Sequence, residues 1–149
     1  MVDLHIVGGS NSLMNKGWTA HLSQVWPGQE VRNASVGAAT SLMGIFRMLR
    51  GDVPPGATVV WEYALNESNH FRAGQSLESL LHHLDWFMEI ARRKSIRVLP
   101  LVLWTRAEQV SGKRNAYRKA LHERLSGYGF TSVDAWEPLQ DLARKEGSD

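Results

Sequence analysis

Five short apolar runs, each followed by a stretch long enough for a helix, constrain this chain more than any other feature. The runs are Leu4 to Val7, Glu30 to Asn33, Thr58 to Tyr63, Ile96 to Leu103 and Thr131 to Asp134, with Val2 just outside the first. Short runs rich in Val and Ile and bounded by Gly and Pro are the mark of buried strands in a mainly parallel sheet. Between them apolar residues recur at helical spacing: Trp18, Leu22, Val25 and Trp26; Leu42, Ile45, Phe46 and Leu49; Leu77, Leu80, Leu81, Leu84, Phe87, Met88 and Ala91 from about Ser76 onward; and Tyr117, Leu121 and Leu125 within Ser111 to Leu125. Such alternation predicts a flavodoxin-like three-layer α/β/α sandwich around a mainly parallel five-stranded sheet. At 149 residues the chain makes a single domain, 1–149. Pro100 lies inside the fourth run and has no N–H for a ladder, so an edge position or a bulge is expected there.

Composition removes several kinds of function. Seventeen Lys and Arg against 15 Asp and Glu leave a net charge of +2, too little for a phosphate-binding face. The run Arg92-Arg93-Lys94 ends an amphipathic segment, where cations complement the helix dipole. No nucleic-acid partner is expected. The absence of cysteine excludes thiolate catalysis and Cys-ligated zinc. No stretch approaches the roughly 20 apolar residues of a membrane span. MVDLHIVGG carries neither a basic leader nor a long apolar segment, so the expected location is the cytoplasm, with no membrane partner. His82 and His83 are adjacent on one helix and cannot converge on a metal, and His5 and His21 are expected to pack in a strand and a helix. Neither a metal nor a cofactor is expected.

In open parallel sheets ligands bind beyond the carboxyl ends of the strands, so the residues after each run matter most. After the first come Gly8-Gly9-Ser10-Asn11-Ser12, after the second Asn33-Ala34-Ser35-Val36-Gly37, and after the third Ala64-Leu65-Asn66-Glu67-Ser68. All are small and polar, with few charges. A hydroxyl nucleophile with donors for a developing oxyanion suits them. A phosphate cradle fits less well, because the spacings GxxxxGK[ST] and GxGxxG are both missing. Read locally, Ser10 is equally suited to capping a helix, Gly37 to a turn and Asn66 to a cap. Trp18, Trp26 and Trp86 fall at helical core positions. Trp104, just past the fourth run, is a candidate to line the crevice and stack on a sugar, and Gly9 and Asn11 are further candidates to line it.

In content and order the three blocks resemble those of the SGNH hydrolase superfamily, which includes the GDSL esterases and lipases. The resemblance implies that Ser10 is the nucleophile, that the Gly37 N–H and the Asn66 amide complete the oxyanion hole, and that the substrate is a small-molecule ester, with O-acetylated carbohydrate as one form of it. Gly9 stands where the family usually has aspartate, and Ala64 and Glu67 where it has glycine and aspartate. The family's closing Asp-x-x-His has no counterpart: Asp134 leads to Glu137 and Asp141 to Arg144. The expectation is that the C-terminal helix and the Asp/His loop are not part of these 149 residues. His70 is the candidate substitute base, against its reading as a solvated loop residue. A catalytically inactive pseudo-hydrolase that binds an acylated carbohydrate or a protein partner is the alternative.

Overall fold

The computed structural model describes residues 4–130 and 132–146, so Thr131 of the expected fifth strand, and Val2 just outside the first, lie outside the described residues. Strands β1 (Leu4–Gly8), β2 (Val31–Asn33), β3 (Thr58–Glu62), β4 (Arg97–Val102) and β5 (Val133–Asp134) form one sheet in the order β2-β1-β3-β4-β5. Every pairing is parallel. Helices α1 (Trp18–Val25), α2 (Ser41–Arg50), α3 (Ala64–Arg72), α4 (Leu77–Arg93), α5 (Arg106–Ser111), α6 (Ala116–Gly127) and α7 (Trp136–Glu146) supply the outer layers. This is the expected three-layer sandwich. Among the described residues no helix is long and apolar enough to cross a membrane.

Successive strand residues point to opposite faces, and the two faces are unequal. Val7, Val59, Trp61, Val98 and Val102 face the larger core, where they meet Ile45, Met48, Leu80, Leu84, Phe87 and Leu121 of α2, α4 and α6. Leu4, Ile6 and Val60 face the smaller one, covered by Trp18 and Leu22 of α1. On that side Leu99 and Val133 are 40% and 60% exposed, so the cover thins toward β4 and β5 among the described residues.

Several sequence expectations are corrected. Pro100 is not in a bulge, since Trp61 pairs with it in unbroken register on one side, and the expected edge position is found only on its other side. The β5 ladder starts one residue later, at Leu101, so β4 has no β5 partner up to the proline among the described residues. The helix expected from Ser111 to Leu125 starts later: Ser111 ends the short helix α5, and α6 begins at Ala116, with Asn115 capping it by accepting the Arg118 N–H. Ala64 to Arg72 is a helix, so Asn66 caps nothing and His70 is not in a loop.

The largest correction concerns α2. Leu42, Phe46 and Leu49 are 46%, 49% and 59% exposed, whereas Ser41, Gly44, Ile45 and Met48 are buried. Gly44 explains the roll of the helix. A Cβ there would lie 2.7 Å from the Phe87 ring, so the glycine edge is pressed into α4 and the apolar stripe turns outward. Val25, Trp26, Trp86 and His21 are exposed as well, not core residues.

Candidate active site

Two glycines are required where β1 ends because the chain there passes close to its neighbours. A Cβ on Gly8 would lie 2.6 Å from Ser12 Oγ and 2.8 Å from the Glu62 carbonyl, and one on Gly9 would lie 2.3 Å from Asn66 Nδ2. No real Cβ tolerates such contacts. The chain then turns into a single 3-10 turn, Ser10–Leu13, closed by the Ser12 N–H on the Gly9 carbonyl at 3.2 Å. Ser10 heads this turn and is exposed. Ser12 is fully buried beneath it. Its hydroxyl donates to Glu62 Oε2 at 2.7 Å, and its carbonyl accepts from Asn33 Nδ2 at 2.6 Å and from Thr19 Oγ1 at 3.4 Å.

Residues after β2 are tied to the same place. The Val36 N–H donates to the Gly8 carbonyl at 3.0 Å, which brings Gly37 to the rim. Gly37 is exposed with open space around it. Ala38 adopts φ +57°, a left-handed conformation uncommon for a residue with a Cβ. Two side chains on one face of α3 hold it: His70 Nε2 lies 2.8 Å from the Ala38 carbonyl, and Asn66 Nδ2 donates to the Ala39 carbonyl at 3.0 Å. They sit at i and i+4, so a single helix face grips two successive carbonyls. A carbonyl only accepts, so His70 carries its proton on Nε2 and presents Nδ1 as its basic nitrogen.

The electrostatics under the rim are set by buried acids. Burial pushes the Glu62 carboxyl up to about 7, against the opposing pull of the Ser12 and Gly9 hydrogen bonds and the Arg118 charge. Burial likewise raises Glu67, which accepts the Ser41 N–H at 2.7 Å and the Tyr117 hydroxyl at 2.6 Å and so ties α2, α3 and α6 together. Glu108 is held below the carboxylate range: burial raises it, but two hydrogen bonds from Arg118 and those from Thr105 prevail.

Gly9, Ser10, Gly37, Asn66 and His70 thus belong to three segments, the turn after β1, the loop after β2 and the helix α3, joined by direct contacts. Asn11 lies half-buried beside Ser10. Trp104 is a correction. It is only 8% exposed, its Nε1–H donates to Asp134 at 2.6 Å, and Arg118 lies over its ring at 4.3 Å. Covered in this way, it lines only a small enclosed pocket beside Arg118 and Asp134, not an open crevice. The aromatic nearer the surface is Trp136, which packs edge-on against it at 4.5 Å. Arg114 lies over both rings. Among the described residues no cluster of three His, Asp or Glu is placed to hold a metal ion. Sequence reasoning missed Glu62 and Ser12. The available signal was a charged residue ending the apolar run TVVWEY.

The sequence matches no protein-family model and no curated protein sequence. The fold has many solved counterparts. The acetyl xylan esterase AlAXEase superposes with a TM-score of 0.80 at 12% identity, over 99% of this chain and 84% of that one. AlinE4, an SGNH-hydrolase family esterase, gives 0.65 at 17% identity over 89% and 76%. A member of the lipolytic protein G-D-S-L family from Veillonella parvula gives 0.68 at 12% over 97% and 83%. The fold of this chain is that of the SGNH/GDSL hydrolases.

Proposed function

We propose that this protein is a serine ester hydrolase of the SGNH type. One observation carries the reading: the backbone after β1 packs directly on the Asn66 amide, with Gly9 leaving no room for a Cβ between them. A turn and a cap with independent purposes would not need that contact. In this reading Ser10 Oγ attacks the ester carbonyl, and the Ser10 N–H, the Gly37 N–H and Asn66 Nδ2 hold the tetrahedral oxyanion. Asn66 spends one amide hydrogen on Ala39 and keeps the second for substrate. The serine proton passes to a histidine oriented by an aspartate and then to the leaving alcohol; the Asp-x-x-His that supplies such a pair in the family is not found in these 149 residues. An O-acetylated carbohydrate is one form of the ester in this reading.

The test is intact mass after exposure to a fluorophosphonate, with Ser10→Ala as control, together with p-nitrophenyl acetate hydrolysis by Asn66→Ala. The expected result is one adduct, lost in the control, and turnover reduced on the order of 10²–10³ by the Asn66 change. An adduct on another residue overturns the nucleophile assignment. A second reading, a pseudo-hydrolase that binds without turnover, is favoured by the want of an Asp-x-x-His in this sequence. Absence of any adduct supports that second reading.

A further inference from the structure

Ser10 and Asn11 are bracketed by two hydrogen bonds that end on the same residue. Before them, the Gly9 N–H donates to the Glu62 backbone carbonyl at 3.0 Å. After them, the Ser12 hydroxyl donates to the Glu62 carboxyl at 2.7 Å. Glu62 closes β3 directly opposite Gly8 in the ladder and is fully buried. Its other carboxyl oxygen, Oε1, is buried with no hydrogen-bond partner among the described residues. A buried carboxyl with an unpaired oxygen is costly, and simple packing at this position would favour an aliphatic residue like Val60 on the same face.

We propose that Glu62 is a positioning residue for Ser10: through Ser12 its carboxyl fixes the turn that carries the nucleophile, and the geometry of that turn follows the charge on the carboxyl. The proposal rests on the reading of Ser10 as nucleophile only for its effect on turnover. When ionised, Glu62 accepts a charge-assisted bond from Ser12, about twice as strong as a neutral one. When protonated, it holds the turn by the weaker bond. The groups that face it are few. Arg118 of α6 is the cation that favours the ionised form, the Tyr63 phenol follows it in the chain, and Ser12 and Gly9 donate from the turn. The change of form falls near neutral pH because burial raises the carboxyl to about 7. Asn33 and Thr19 hold the Ser12 carbonyl, so only the hydroxyl end of Ser12 is free to respond.

The experiment follows the amide resonances of Gly9, Ser10 and Asn11 and the Glu62 carboxyl carbon by NMR between pH 5 and 9, in the wild type, Glu62→Gln and Ser12→Ala. The expected result is that the three amides titrate with the carboxyl in the wild type and stay flat in Glu62→Gln. In Ser12→Ala the carboxyl still titrates, while the Ser10 and Asn11 shifts shrink at least threefold. In ester hydrolysis Glu62→Gln lowers kcat at least tenfold at pH 8, leaves KM within twofold and removes the limb of the pH profile near 7. Amides that stay flat in the wild type, or titrate unchanged in Glu62→Gln, overturn the proposal. If Glu62→Gln does not fold, Ser12→Ala, which removes a single hydroxyl, carries the test. Coupled titration in a protein that hydrolyses no ester overturns the esterase reading and supports this one, and flat amides in an active esterase do the reverse.

Discussion

Gly9 shows how much a single missing side chain decides. Its backbone lies where a Cβ would come within 2.3 Å of Asn66 Nδ2, so Gly9→Ala must push the amide off the Ala39 carbonyl or tilt the 3-10 turn. The expected outcome is a folded protein destabilised by about 1–3 kcal/mol, with ester turnover reduced at least tenfold. Thermal unfolding and p-nitrophenyl acetate kinetics on the same preparation check both parts. At this scale the candidate site was half legible. Ser10, Gly37 and Asn66 were visible because small polar residues after successive strands form a pattern along the chain. Ser12 and Glu62 were not, because the bond between them spans 50 positions, and the charge in TVVWEY, the one local signal, does not say what it meets. His70 read as a loop residue because a polar run such as LNESNHFR has too few apolar positions to show a helical stripe. Trp104 misled for a related reason, since the chain does not display the arginines that cover it.

Helices were recognisable wherever burial alone sets their pattern. The long stripe of α4 places Leu80, Leu84, Phe87, Met88 and Ala91 in the core as its spacing demands. In α2 the pattern misled, because a close helix contact displaced the apolar stripe. Gly44 is the cause, and it supplies a prediction with two arms. Gly44→Ala gains helix propensity of about 1 kcal/mol, yet its methyl would stand 2.7 Å from the Phe87 ring and 3.0 Å from the Tyr63 ring. The clash should win, giving a net loss of stability of about 1–2 kcal/mol. Phe46→Gln, on the outward stripe, should stay within about 0.5 kcal/mol of the wild type. Urea unfolding of the two variants side by side decides it. Equal effects would mean that α2 is oriented by its leucines after all.

At the scale of the whole molecule, buried acids shape the pH dependence of stability. Glu62 ionises at about 7 when folded, against the ordinary 4.5, so the folded state holds its proton more tightly than the unfolded chain does. Stability is therefore greatest below about 4.5 as far as this group is concerned and falls as the pH rises to about 7. The loss amounts to about 3 kcal/mol. Glu67 acts in the same direction. Glu108, held below the carboxylate range, acts oppositely and only at lower pH, as it becomes protonated. Unfolding free energies between pH 5 and 8 should slope downward in the wild type and clearly less so in Glu62→Gln. A flat wild-type profile would contradict the burial of Glu62.

The strand order carries one more consequence, for how the protein is made. β1 lies between β2 and β3, although it is the first strand to leave the ribosome. Its Ile6 and Val7, both fully buried in the finished molecule, have no sheet on their second side until Thr58 to Glu62 has been synthesised. Pairings between such distant segments form slowly, and the apolar surface they leave open meanwhile invites aggregation. The nascent chain therefore carries an unfinished inner strand until β3 has emerged. The turn bearing Ser10, anchored to Glu62, cannot take shape any earlier.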